Sequence, residues 1–149
     1  MKLKRESEIK FPATIRSVWF GLNKIFRNKL KSLSITPVQY TVLRCLIESK
    51  GKGLNQTELA GVIFTNKNNI SSILMRMVQS GYILRTQAKY DQRETIISVT
   101  PKGDSLFRSA QKLATEVRGE VFNFSTQKQG VNFIGSLQKI NSKLKELQE

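Results

Sequence analysis

Residues 66–81 hold no aspartate or glutamate. Ile70, Ile73, Leu74, Met77 and Val78 recur there at i, i+3, i+4, i+7 and i+8, the spacing of a helix with one apolar stripe. Opposite that stripe fall Asn68, Asn69, Ser71, Ser72, Met75, Arg76 and Gln79. A surface without carboxylates does not repel phosphate. Its amides can pair bidentately with adenine, its hydroxyls can read either partner of a base pair, and Arg76 suits guanine or phosphate. Asn69, Ser72 and Arg76 lie at i, i+3 and i+7, so one groove can meet all three, and Lys67 adds a cation at the start of the run.

A second cluster, Lys89, Tyr90, Asp91, Gln92 and Arg93, separates two β-rich runs, Tyr82 to Thr86 and Thr95 to Val99. An arginine on a narrow hairpin tip can enter a minor groove, where negative potential is focused. An acid two residues earlier can fix the guanidinium by a charge-assisted hydrogen bond, which assigns Asp91 to Arg93. Both clusters point to double-stranded DNA.

The composition excludes other chemistries. The 149 residues include no histidine, which removes His general bases, Ser-His or Cys-His nucleophile pairs and His-ligated zinc. A single cysteine, Cys45, leaves no internal disulfide and no cysteine-clustered metal site. It falls within an apolar helix and is read as core. There is no Gly-rich phosphate loop; Gly51-x-Gly53 lacks the rest of any fingerprint, and Ser7-x-x-Lys10 and Ser136-x-x-Lys139 are short enough to arise by chance. No enzyme, cofactor or metal is expected.

Lys and Arg number 25 against 11 Asp and Glu, a net charge of +14 that attracts polyanions. Residues 1–35 carry nine bases and two acids, +7 of that total. No run approaches the roughly 18 apolar residues of a membrane span. Glu6, Glu8, Lys10 and Arg16 interrupt any apolar stretch after the basic Met1 to Arg5. The expectation is a soluble, cytoplasmic protein that does not bind membrane.

The elements that must hold the two clusters can be read from caps and periods. Residues 11–33 carry Phe11, Ile15, Val18, Trp19, Leu22, Ile25, Phe26, Leu30 and Leu33 at helical steps. A helix of some 22 residues is about 33 Å long, more than one small core can cover, so a partner chain is its natural cover. Thr36-Pro37-Val38-Gln39 and Asn55-Gln56-Thr57-Glu58 read as capping boxes, the second with Leu54 and Leu59 placed as a hydrophobic staple. Gly51-Lys52-Gly53 ends the second helix. Thr100-Pro101 opens a fifth helix with core positions Leu106, Ala110, Leu113, Ala114, Val117, Val121 and Phe124. Thr126 to Gln129 caps a sixth bearing Ile134, Leu137, Ile140, Leu144 and Leu147. The fold class is mainly α with a small β-hairpin wing. Two short helices joined by a tight turn and followed by a hairpin describe a winged helix-turn-helix, whose second helix enters the major groove.

With these elements in place, the sequence resembles the MarR family of bacterial transcription regulators from about Ile35 to Gly103. The resemblance rests on Ile35-Thr36-Pro37-Val38-Gln39-Tyr40, on Leu54-Asn55-Gln56-Thr57-Glu58-Leu59-Ala60, and on Met75 through Arg85. Asp91-Gln92-Arg93 and Val99-Thr100-Pro101-Lys102-Gly103 complete it. It implies three parts: a basic segment and long dimerisation helix at 1–34, a DNA-binding lobe at 35–103, and C-terminal dimerisation helices at 104–149. It further implies a homodimer on a pseudo-palindromic operator, with Arg93 in the minor groove and Asp91 orienting it. A repressor released by a small-molecule effector is implied as well, the effector lying near Trp19, Asn23, Tyr40 and Arg44. Alternatives are a ligand-independent, nucleoid-like or architectural DNA-binding protein, and a winged helix used for protein interaction.

Overall fold

The computed structural model describes residues 11–63, 65–91 and 93–147. The basic segment before Phe11 lies outside the described residues, as do Gln92 and the Lys67 side chain. Six helices and three short strands follow in order: α1 (Phe11–Leu30), a 3₁₀ turn (Lys31–Leu33), α2 (Pro37–Glu48), β1 (Leu54–Asn55), α3 (Gln56–Ile63), α4 (Lys67–Gln79), β2 (Ile83–Gln87), β3 (Thr95–Val99), α5 (Pro101–Val121) and α6 (Gln127–Glu146). They form two compact units, one ending at Ala114 and one beginning at Thr115.

The first unit owes its helix starts to the caps read from sequence. The Thr36 hydroxyl accepts from the Gln39 N–H at 3.2 Å, and the Gln39 side chain accepts from the Thr36 N–H at 2.9 Å. The second box is equally complete. Asn55 Oδ1 accepts from the Glu58 N–H at 2.8 Å, and Glu58 Oε2 accepts from the Asn55 N–H at 2.7 Å. Each box satisfies backbone donors that a helix start leaves unpaired. Helix α2 ends at Glu48, before the glycines, and Lys50 and Gly51 take up positive φ in the turn that follows.

Leu30, Val42, Leu43, Leu46, Leu59, Ile70, Leu74, Met77, Ile83 and Ile97 are fully buried together. Tyr40 sits among them, edge-on to Phe26 at 5.1 Å and stacked on Phe107 at 5.5 Å. Helix α5 buries Phe107, Ala110 and Val117; Val121 at its end and Phe124 beyond it, both expected in the core, are exposed. Val78, expected in the apolar stripe of α4, is likewise exposed at its margin.

The hairpin is the larger part of a three-stranded antiparallel sheet in the order β1-β3-β2. Ile83 pairs with Val99 and Gln87 with Thr95, while Leu54 and Asn55 pair with Ile97 and Ile96. The two-residue β1 was not expected, being too short to show a period. It can approach because residue 53 is glycine: φ is +70°, and a Cβ there would overlap the Ile96 side chain.

Thr100 joins sheet, α4 and α5. Its hydroxyl reaches the Gly81 carbonyl at 2.7 Å and accepts from the Gly103 N–H at 3.0 Å, while Lys102 Nζ donates to the Ser80 carbonyl at 2.8 Å. The second unit is simpler. Phe122, Phe124 and Phe133 cluster with centroids 5.3–6.3 Å apart, and α6 starts on a Thr126 cap. Its row Ile134, Leu137, Ile140 and Leu144 is exposed. Among the described residues no helix is long and apolar enough to cross a membrane.

The first turn of α5 lies directly on the hairpin, since a Cβ on Gly103 would overlap the Tyr82 carbonyl oxygen and crowd Val99 at 2.9 Å. Gly103→Ala should therefore destabilise the protein by roughly 1–3 kcal/mol, an overpacking cost read by urea or thermal unfolding. An unchanged midpoint would mean this contact is slack.

Candidate nucleic-acid interface

Helix α4 is held by its buried side. With Ile70, Leu74 and Met77 fully buried, its opposite side must face solvent, and Asn68, Asn69, Ser72, Met75, Arg76 and Gln79 are all exposed. Ser71 is half-buried at the edge of that face. The helix starts on Asn66, whose Oδ1 accepts from the Asn69 N–H at 2.9 Å. That cap occupies Asn66 and leaves the Asn69 side-chain amide outside the capping bonds. Asn69, Ser72 and Arg76 border one groove together with Thr65, Ile63, Ile73 and Val38 of α2. The spacing read from sequence thus becomes a shared surface.

Lys89, Asp91 and Arg93 are exposed at the hairpin tip, and Tyr90 stands fully in solvent. The role expected of Asp91 is corrected here. Its Oδ1 accepts from the Arg93 main-chain N–H at 2.8 Å, so the carboxylate shapes the turn rather than gripping the guanidinium. A two-residue separation favours this local closure, because a short acid reaches the backbone two residues on at little entropic cost. The tip is closed by the Ala88 N–H donating to the Glu94 carbonyl at 2.9 Å and the Glu94 N–H to the Asp91 carbonyl at 3.0 Å. The guanidinium of Arg93 stays outside these bonds.

One contact was not anticipated from sequence. Asn55 Nδ2 donates to Glu94 Oε1 at 2.7 Å, joining the start of α3 to the hairpin across 39 residues. No local pattern signals it, since it depends on how far the hairpin folds back. Asn55, Thr57, Asp91, Arg93 and Glu94 line the polar cleft beneath.

The four residues assigned to an effector differ in setting. Tyr40, at 6% exposure, is a core residue between Phe26 and Phe107. Arg44 lies over the outer side of its ring at 5.7 Å and pairs with Glu48 at 3.5 Å. Trp19 is 64% exposed, and its carbonyl accepts from the half-buried Asn23 side chain at 2.9 Å.

An arginine-bearing hairpin beside an exposed, acid-free second helix defines a winged helix-turn-helix protein equipped for nucleic acid. The comparisons with known proteins agree. The model of the MarR family matches residues 35–95, the stretch from just before α2 to the first residue of β3. The HTH-type transcriptional regulator SarZ of Staphylococcus aureus is 28% identical over 120 residues, covering 80% of this chain and 78% of that protein. The MepR–DNA complex of S. aureus superposes with a TM-score of 0.82 at 20% identity, over 91% of this chain and 99% of that one. CouR of Rhodococcus jostii RHA1 bound to p-coumaroyl-CoA gives 0.81 at 19% identity, over 92% and 95%.

Cys45 is half-buried on α2. Burial pushes its thiol above the ordinary value, the Glu48 carboxylate adds to that, and the Arg44 guanidinium opposes it. The thiolate is the reactive form, so iodoacetamide should modify the folded protein more slowly than the urea-unfolded chain across the mildly alkaline range. Because the unfolded thiol ionises first, its contribution to stability is present below the ordinary thiol pKa and erodes as pH rises through it. Equal rates in both states would show an open thiol.

Proposed function

We propose that the protein is a homodimeric, sequence-specific DNA-binding transcription regulator, a cytoplasmic repressor modulated by a small-molecule effector. The observation that carries this reading is the acid-free face of α4, with Asn69, Ser72 and Arg76 on one groove and the wing bearing Arg93 beside the helix-turn-helix. On this reading Asn68, Asn69, Ser71 and Ser72 meet base edges, and Arg76 meets guanine or phosphate. Lys67 and Lys89 add phosphate contacts, and Arg93 enters the minor groove from a tip shaped by Asp91.

Two exposed apolar rows support the dimer. Ile15, Val18, Trp19 and Ile25 on α1 are exposed, as are Ile134, Leu137, Ile140 and Leu144 on α6, more apolar surface than a monomer ordinarily leaves in water. A two-fold dimer presents two α4 helices about 34 Å apart, one turn of duplex, and so selects a pseudo-palindromic operator. The ligand-bound CouR neighbour favours an effector. Trp19, Asn23 and Arg44 remain candidates to line its site, with Tyr40 serving as the wall behind Arg44. An effector that prefers one spacing of the two helices shifts the population away from the operator-competent form.

The test is a footprint of the untagged protein on genomic DNA. A two-fold symmetric protected site is expected; protection without a preferred site and with a steep salt slope would favour the architectural alternative. At the selected site Asn69→Ala should cost on the order of 1–3 kcal/mol and relax sequence preference. Arg93→Ala should weaken binding mainly where the flanks are A·T-rich. Unchanged affinity in both variants would mean that another surface binds.

A further inference from the structure

The wing carries its arginine on a tip closed by its own turn bonds, which leave open the angle at which the hairpin stands against the helix-turn-helix. We infer that Glu94 sets that angle: its carboxylate, held by the Asn55 side-chain amide at 2.7 Å, latches the wing tip to the start of α3 and positions Arg93 for DNA. The inference rests on the DNA-binding reading above and goes beyond it by assigning a role to an acid that, by charge alone, should weaken DNA binding.

The geometry supports the assignment at each joint. Asn55 is itself immobilised on three sides. Its Oδ1 accepts from the Glu58 N–H at 2.8 Å, its N–H donates to the Glu58 carboxylate at 2.7 Å, and its backbone pairs in register with Ile96 of β3. Its Nδ2 is therefore a donor aimed from a fixed point. Glu94 is equally fixed along the chain: its carbonyl accepts from Ala88 and its N–H donates to the Asp91 carbonyl. Arg93 is its immediate neighbour, and the same Asp91 holds the Arg93 N–H at 2.8 Å. Any rotation of the tip that moves Arg93 must stretch the Asn55–Glu94 bond. A hydrogen bond to a charged group is stronger than a neutral one, and this one joins the start of α3 to the wing tip just beyond the backbone pairing of β1 with β3.

The test separates the bond from the charge. Glu94→Gln and Glu94→Ala both remove the negative charge, but only glutamine keeps an acceptor for Asn55 Nδ2. The probe is a duplex selected from a random library by the wild-type protein, with a second version whose A·T pairs under the wing are changed to G·C. Glu94→Gln should bind at least as tightly as wild type and keep its preference between the two duplexes. Glu94→Ala should bind about fivefold more weakly than Glu94→Gln and lose most of that preference. In an Arg93→Ala background the two variants should become equal. Without DNA, the Asn55 side-chain amide protons should exchange faster in Glu94→Ala than in wild type or Glu94→Gln.

Equal affinity and preference of the two variants, or a difference that survives Arg93→Ala, would overturn the positioning role. Unchanged amide exchange in Glu94→Ala would overturn the latch itself. Failure of the wild-type protein to select any duplex would instead remove the DNA-binding reading, and this assignment with it, even if the exchange result held.

Discussion

The interface depends on the seating of α4 in the core. Ile70, Leu74 and Met77 are fully buried, and each such side chain contributes about 1.5–3 kcal/mol relative to exposure. Turning the helix by one residue, about 100°, would withdraw them and bury amides and hydroxyls in their place. The rotation of α4 is thus fixed by hydrophobic burial, and its outward face follows without any interaction of its own. Asn68, Asn69, Ser72 and Arg76 are presented because of what lies behind them.

The wing is attached to the same core by two buried isoleucines at its base and by polar bonds around them. Thr100 and Lys102 tie the carbonyls at the end of α4 to the first turn of α5, and β3 pairs with both β1 and β2. Ile83 and Ile97 anchor the hairpin base, whereas its tip is held by hydrogen bonds, those of the turn and the Asn55–Glu94 contact among them. The face of α4 and the wing tip therefore differ in stiffness. A helix bedded in apolar side chains is rigid along its length, whereas the hairpin tip depends on hydrogen bonds that include Asn55–Glu94. The net charge of +14 supplies long-range attraction to either groove but no register; register comes from these short-range constraints.

The helices were legible in the sequence where local rules decide. Caps at Thr36, Asn55 and Thr126 and the prolines 37 and 101 fix starts through bonds within four residues, and those starts hold. The apolar period of α4 fixed its outward face, with Val78 the exception at the margin. What escaped was what depends on distant partners. Strand β1 has two residues and forms only because β3 lies beside it. Phe107 is buried and stacks on Tyr40, a partner 67 residues away that no local pattern signals. Tyr40, whose aromatic type suits core as well as a ligand site, stacks on Phe107 and meets Phe26 edge-on. Asp91 was paired with the wrong group of Arg93, because a nearby main-chain N–H competes with a long flexible guanidinium and wins on entropy. The apolar stripes of α1 and α6 were visible in the sequence, and their residues are exposed in the structure.

The central claim is that DNA meets the face of α4 opposite its buried side, together with the wing tip. The most direct measurement is a titration of the isotope-labelled protein with a selected duplex, followed by amide and side-chain resonances. The account predicts that the largest shifts fall on residues 66–79 and 88–94, with the side-chain amides of Asn68 and Asn69 among them. Shifts concentrated on α1 or α6, with α4 unmoved, would contradict it.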